Sequence, residues 1–258
     1  MFKLIKYFFV IFLMTVTSSF ADLSDILKKG EVKIAVPEAF APFGSVGKTG
    51  EHEGYDVDVA KLIAKDLGVK LKIVPVVSKQ RIPFLETDKV DLVISTMGAN
   101  PKRAKSINFS SAYAPFYSGV FAPSNVKILN YDDLDGLTVG VTGGTLEDLE
   151  LTKRAPKGTK ITRFGDNAAT LSAIKSKQVQ VLVSGNTVAA SITDSDPNFD
   201  LQRKFIIKDS PCFIGIKKGN EDLLRWVNVF ILHKKLGGDL NKISQKWLGQ
   251  DLPPLPSL

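Results

Sequence analysis

The chain has 258 residues, 44% of them hydrophobic and 24% charged, with a formal net charge of +7. That is the composition of a soluble globular protein, long enough for one large domain or two lobes with sizeable cores. Its basicity comes as scattered lysines, with no arginine-rich block or basic–aromatic stripe, so nucleic acid is excluded as an expected partner.

The first residues stand apart. Met1-Phe2-Lys3-Leu4-Ile5-Lys6 is a short basic region, residues 7–17 are almost wholly apolar, and Ser19-Phe20-Ala21 places small residues where a signal peptidase reads. Residues 1–21 are predicted to be a secretory signal peptide cut after Ala21. A membrane anchor is the weaker alternative, because the apolar core falls short of the roughly 20 residues a bilayer needs. No cysteine follows the cut, which disfavours a lipoprotein. Losing Lys3 and Lys6 takes the charge from +7 to +5. The expected mature protein is a monomer, free in the periplasm.

Residues 32–36 alternate as a strand, and Pro37-Glu38-Ala39-Phe40-Ala41-Pro42-Phe43 follows as a proline-broken loop. Gly54-Tyr55-Asp56-Val57-Asp58 opens a helix to Leu67, with Val59, Leu62, Ile63 and Leu67 on one face and Gly68 as its stop. Residues 69–76 alternate again, residues 78–85 read as a short helical segment, and Val90-Asp91-Leu92-Val93-Ile94 reads as a buried strand. Strand and helix in alternation predict an α/β lobe with a largely parallel sheet, whose ligands gather outside the carboxyl ends of the strands. The loop after residue 94 is Ser95-Thr96-Met97-Gly98-Ala99-Asn100-Pro101-Lys102-Arg103. Two hydroxyls, a glycine backbone and a planar guanidinium make a cradle suited to a small carboxylate. A surface arginine beside a turn is the plainer reading of the same residues.

The following run, Ile107-Asn108-Phe109-Ser110-Ser111-Ala112-Tyr113, carries "FS-x-x-Y" after the strand, hydroxyl-rich loop and arginine. Here the chain resembles the periplasmic solute-binding proteins of the amino-acid ABC importers, from Glu31 to Leu248. The resemblance implies a type II periplasmic-binding-protein fold: two α/β lobes, two crossings, and a solute in the cleft between them. It implies carboxylate binding by Ser95, Thr96 and Arg103, and an aromatic stacked on the ligand at Phe40, which ordinary core packing would equally explain. Ser78 and Arg81 match residues that reach a ligand's distal group in the acidic-amino-acid branch; a surface ion pair is the alternative for Arg81. The "G-aromatic-D-x-D" opening at Gly54 builds structure in that family and receives no ligand role.

Aromatic, extended sequence around residues 113–121 reads as the first crossing. Residues 137–141 form a strand, and Thr142-Gly143-Gly144-Thr145 opens the helix of Leu146-Glu147-Asp148-Leu149-Glu150. A glycine-rich loop at a helix N-terminus presents free N–H groups, and the resemblance implies that Gly144 and Thr145 touch the ligand. Thr145 is also a natural N-cap, and no "GK[ST]" follows to support a nucleotide. Phe164-Gly165-Asp166-Asn167 ends another strand before a helix at 168–175; Asn167 matches a ligand-contacting position or caps that helix. Residues 179–183 form a strand ending in Ser184-Gly185-Asn186-Thr187.

At this point the chain departs from the family. The carboxylate that pairs with an amino acid's ammonium is expected at Gly185, and a helping hydroxyl at Gly98; both are glycine. Asn186 or Glu38 would have to take over. The expectation is therefore a carboxylate whose α-nitrogen is neutral, substituted or missing.

Residues 209–216 read as the second crossing, residues 220–235 and 240–248 as helices with Trp226 and Trp247 in packing roles, and the proline-rich tail as an extended surface segment. Cys212, the only cysteine, excludes an intrachain disulfide and reads as a buried packing residue. His52 and His233 lack metal-ligand spacing, so neither a metal nor a cofactor is expected. The predicted division is residues 22–115 plus 213–258 for lobe one and 119–209 for lobe two, with crossings at 116–118 and 210–212. Candidate ligand residues are Phe40, Ser78, Arg81, Ser95, Thr96, Gly98, Arg103, Gly144, Thr145, Asn167 and Asn186. The expected partners are a small amino-acid-like carboxylate and an ABC permease. The alternative is an enzyme resembling cyclohexadienyl dehydratases, disfavoured because Gly185 and Asn186 leave no general acid where lobe two should offer one.

Overall fold

The computed structural model describes residues 23–187, 192 and 196–256; the predicted leader lies outside them. Two five-stranded sheets organise the chain. The first lobe opens with α1 (Leu23–Lys29), β1 (Glu31–Pro37), a small hairpin of β2 (Ser45–Val46) and β3 (His52–Glu53), α2 (Tyr55–Leu67), β4 (Lys70–Val76), α3 (Arg81–Glu86), β5 (Leu92–Gly98) and β6 (Ile107–Ala114). The second holds β7 (Tyr117–Ala122), β8 (Thr138–Thr142), α4 (Leu146–Arg154), β9 (Lys160–Phe164), α5 (Asn167–Lys175), β10 (Val181–Gly185) and β11 (Gln202–Asp209). The chain then re-enters the first sheet as β12 (Cys212–Lys217) and ends in α6 (Glu221–Leu236) and α7 (Asp239–Leu248).

Strand order is β4-β1-β5-β12-β6 in one sheet and β11-β7-β10-β8-β9 in the other. In each, three neighbouring strands run parallel, and the strands that cross between lobes add antiparallel. Pro75 falls in β4 and opposes Val36, which is tolerated because β4 is an edge strand with no further ladder to feed. Apolar side chains cover both faces of the first sheet. Ile34, Ile63, Leu92, Ile214 and Phe230 pack on the face under α2 and α6, and Leu85, Met97, Phe109 and Phe213 on the other. The second sheet is covered the same way, with Val139, Val141 and Leu151 on one face and Ala173, Ile174 and Leu182 on the other.

Half of the residues read as crossings, 116–118 and 210–212, are strand. β7 already includes Tyr117 and Ser118, β12 already includes Cys212, and Pro115-Phe116 and Ser210-Pro211 fall outside any strand. These two short passages lie side by side, because the Ser210 N–H donates to the Phe116 carbonyl at 2.9 Å.

Asp56 and Asp58, the carboxylates of the α2 opening, point to different jobs. Asp58 accepts the Trp247 indole N–H at 2.8 Å and the Lys246 ammonium at 2.7 Å, fastening α7 to α2. Asp56 is fully buried and turns toward the end of β5.

The candidate ligand cleft

Carboxyl ends of parallel strands from both sheets converge on one cleft: Pro37 to Phe40 after β1, Val76 to Ser78 after β4, and Ser95, Thr96 and Gly98 in β5 from the first lobe. Thr142 after β8, Asp166 and Asn167 after β9, and Ser184 in β10 face them from the second. The space enclosed, including its open mouth, is about 660 Å³.

The end of β5 is shaped by a bulge. Between β12 residues Phe213 and Gly215 the partner register on β5 jumps from Met97 to Val93, so residues 94–96 face Ile214 alone. Thr96 adopts φ +46°, a left-handed conformation that costs a β-branched residue about 1–3 kcal/mol unless its surroundings impose it. They do. Asp56 accepts the Thr96 N–H at 2.8 Å and its hydroxyl at 2.9 Å, and is itself held by the Tyr113 hydroxyl at 2.6 Å. On the other side the Arg81 guanidinium donates to the carbonyls of Ser95 at 2.7 Å and Thr96 at 3.4 Å, and its Nε to that of Ser78 at 3.1 Å.

Thr96 and Arg81 both line the cleft, and both also hold structure there. The Thr96 hydroxyl donates to Asp56, so its hydrogen is not available to a solute. Arg81, 5% exposed, uses two of its three nitrogens to hold main chain at the cleft floor. Burial pushes Arg81 down to about 9, with the like charge of Arg103 adding to the fall and Glu147 opposing it. Asp56 is raised to about 7 by burial, against the hydrogen bonds from Tyr113 and Thr96.

Arg103 lies at the seam between the lobes. Its N–H is fixed by the Asn100 side chain at 2.9 Å, its Nη1 donates to Gly98 O at 2.8 Å, and its Nη2 reaches across to Gly144 O at 3.0 Å. Each terminal nitrogen keeps a second hydrogen. Burial lowers the Arg103 pKa and Glu147 raises it in part. Gly144 takes φ +82°, and a Cβ there would press on the Lys79 chain at 2.8 Å, so glycine is required twice over. Gly144 itself does not line the cleft; its carbonyl meets Arg103 from the side.

On the second lobe Thr145 caps α4, accepting the Asp148 N–H at 3.2 Å and donating to Thr142 O at 2.8 Å, and it lines the cleft as well. Asn167 is not the cap of α5. Asp166 is, accepting the Ala169 N–H at 2.7 Å, while Asn167 accepts the Thr142 hydroxyl at 2.8 Å and faces the cleft. Phe40 lines the cleft and is also core, stacked on Phe43 at 5.8 Å. Ser78, Ser95 and Gly98 line it too. Asn186 does not: its side chain accepts the Tyr117 N–H at 3.2 Å beside the crossing. Glu38 lines the mouth, exposed to solvent.

Three residues without a mark in the sequence complete the site. Glu147, second residue of α4, is 7% exposed, lines the cleft, and accepts the Ser118 hydroxyl at 2.8 Å. Phe116 fills the space where a side chain at position 185 would stand, its ring packed against Phe40 at 6.3 Å and Phe43 at 5.8 Å. The Ser210 hydroxyl fills the corresponding space at Gly98. Acidic residues in a first turn complement the helix dipole wherever they point, so Glu147 gives no sequence signal that separates cleft from solvent. It gives lobe two a buried carboxylate in the cleft at a place other than Gly185 and Asn186.

The profile of the bacterial extracellular solute-binding proteins, family 3, matches residues 32–250. The glutamine-binding protein GlnH of an ABC transporter from Bacillus subtilis is 30% identical over 79% of this chain and 75% of its own length. The L-cystine-binding protein TcyJ from Escherichia coli is 26% identical over 91% and 90%. Among solved structures, a solute receptor for L-cysteine from Neisseria gonorrhoeae superposes with a TM-score of 0.82 at 31% identity, covering 88% of this chain and 94% of that one. The ancestral amino acid-binding protein AncCDT-1, described as a precursor of cyclohexadienyl dehydratase, gives 0.81 at 30% identity, covering 87% and 98%. With its two-lobe type II architecture and a profile match spanning both sheets, the chain belongs to the bacterial extracellular solute-binding proteins, family 3.

Proposed function

We propose that the protein captures an amino acid between its lobes in the periplasm and presents the closed form to an ABC permease. The observation that carries this is Arg103, a nearly buried guanidinium of lobe one that reaches the α4 loop of lobe two and keeps donors for a carboxylate. A carboxylate placed there would touch the machinery of both lobes, and only such differential contact favours closure. The passages at 115–116 and 210–211 serve as the hinge, since they carry the chain between the two sheets and lie outside any strand. Residues 1–21 direct export and are removed. The relatives are named for glutamine, cystine, arginine and cysteine, which supports the amino acid as solute class.

A thermal-shift screen of the purified mature protein against the L-amino acids tests the proposal. A ligand that binds only the native state raises the midpoint with concentration, and micromolar binding corresponds to about −8 kcal/mol. A panel with no shift sinks it.

One observation favours a second reading. Glu147 is a carboxylate in the cleft on lobe two, where a dehydratase would carry its acid, and the likeness to AncCDT-1 points the same way. Against it, the relatives named for glutamine, cystine and cysteine are binding proteins.

A further inference from the structure

We propose that recognition of the ligand's ammonium has moved in this chain from strand β10 to helix α4, with Glu147 as the anionic partner and Phe116 sealing the abandoned position. This rests on the capture reading above and reverses the sequence expectation of a ligand without a charged nitrogen.

A closed cleft makes a definite demand on its ligand's nitrogen. An ammonium stripped of water needs acceptors in its place, preferably a negative one. Position 185 carries no side chain to supply it, and the space a Cβ would take there is filled by the Phe116 ring, which packs against Phe40 and Phe43. Position 98 is closed in the same manner by Ser210. Both glycines are thus explained as room for a neighbour, with no reference to the solute. Glu147 has the opposite character. It is a carboxylate more than nine-tenths buried, in the wall of the same cleft, and among the described residues it forms no salt bridge with either cleft arginine. Its one described hydrogen bond, from Ser118, leaves carboxylate lone pairs for another donor.

The charge arrangement fits a zwitterion. Asp56 is engaged behind Thr96, holding its backbone N–H and hydroxyl, and does not line the cleft. Arg103 and Glu147 are buried groups of opposite sign that both line the space between the lobes, whereas Glu38 stands exposed at its mouth and Asp166 is engaged in capping α5; the Glu147 charge acts on Arg103. A free amino acid lying between them places its carboxylate on Arg103 and its ammonium on Glu147. Phe40 and Phe116 then wall its carbon skeleton.

The test is calorimetric titration of the purified protein with the twenty L-amino acids and L-cystine, followed by the N-acetyl derivative of whichever binds tightest. Wild type is expected to prefer the free amino acid. Glu147→Gln should weaken it about 30-fold or more, the low end for removing one partner of a buried charge pair, and should leave the N-acetyl derivative's affinity unchanged or higher. Glu147→Asp should recover part of the loss, and a thermal midpoint near wild type in both variants shows that the fold is kept. Tight binding of the free amino acid by Glu147→Gln overturns the inference while leaving capture intact. So does a loss that falls on Glu38→Gln instead, or a preference of wild type for the N-acetyl form. No binding anywhere in the panel overturns capture itself, and the inference with it.

Discussion

Asp56 and Thr96, forty residues apart, are joined by a two-point clamp: one carboxylate oxygen accepts both the backbone N–H and the hydroxyl of a threonine in left-handed conformation. The clamp predicts a pH dependence. Burial raises Asp56 to about 7, well above the usual carboxylate value near 4. A carboxyl raised on folding is protonated in the native state where the unfolded chain has already released its proton, so it favours folding most below about pH 4. That share is lost as pH rises through about 7. The stability of wild type relative to Asp56→Asn, from urea denaturation, should therefore be greatest near about pH 4 and shrink toward about pH 7.5. A difference that is flat or grows over that window contradicts the assignment.

Arg103→Ala should weaken amino-acid binding by about 2–5 kcal/mol, the range for truncating one partner of a buried hydrogen-bonded charge pair. The variant should fold, since the residue lies at the seam and outside both apolar cores. Arg103→Lys should recover little, because one ammonium cannot hold Gly98, Gly144 and a carboxylate together as the guanidinium fork does. Titration calorimetry of both variants reads this directly; near wild-type affinity in Arg103→Ala places the carboxylate elsewhere.

What is legible in the sequence is set by the range of the interactions involved. The alternating runs and the glycine stop at Gly68 are local, and they give β1, β4, β8 and α2 to within a residue or so, whereas β5 runs on through Ser95–Gly98, read as loop, and β11 carries no such local mark. Arg103 is legible because a strand, a hydroxyl loop and an arginine are contiguous. Asp56 reads as structural, as it is, but its partner Thr96 lies 40 residues on, so the sequence assigns that hydroxyl to the solute instead. Glu147 and Phe116 are invisible for a related reason. Which way the first turn of α4 faces, and what fills the hollow at Gly185, depend on how two sheets meet across the cleft.

Trp247→Phe should lower stability by about 1–3 kcal/mol, the range for a hydrogen bond to a charged group. It frees Asp58 from its indole partner while keeping the ring's apolar bulk between α2 and α7. Affinity should be unchanged, since neither Asp58 nor Trp247 lines the cleft. Denaturation and titration on the same preparation separate the two effects, and a variant that loses affinity but not stability would give this helix pair a role beyond packing.

The enzyme reading makes its own demand. A dehydratase needs a general acid in its cleft, and Glu147 is the buried lobe-two carboxylate on which that role would fall. Incubation with prephenate or arogenate should yield no aromatic product above the buffer rate. Turnover that disappears in Glu147→Gln would move the protein into the dehydratases.

The last prediction concerns the hollow at Gly185. An aspartate substituted there would on paper return the missing amine carboxylate, yet the Phe116 ring already occupies the space. Moving that ring aside breaks its edge-on packing against Phe40 and Phe43. Gly185→Asp should therefore cost about 1–3 kcal/mol of stability, as overpacked sites do, and should weaken amino-acid binding as the displaced ring intrudes on the cleft. Pairing it with Phe116→Ala removes the clash and puts two carboxylates within one cleft, the substituted one on β10 and that of Glu147 on α4. The double variant should regain stability relative to Gly185→Asp alone. It should also no longer depend on Glu147 for the ammonium, so adding Glu147→Gln to it should cost less affinity than in the wild-type background. If Gly185→Asp by itself keeps full stability and binds amino acids more tightly, the ring is movable and the amine position on β10 is still open.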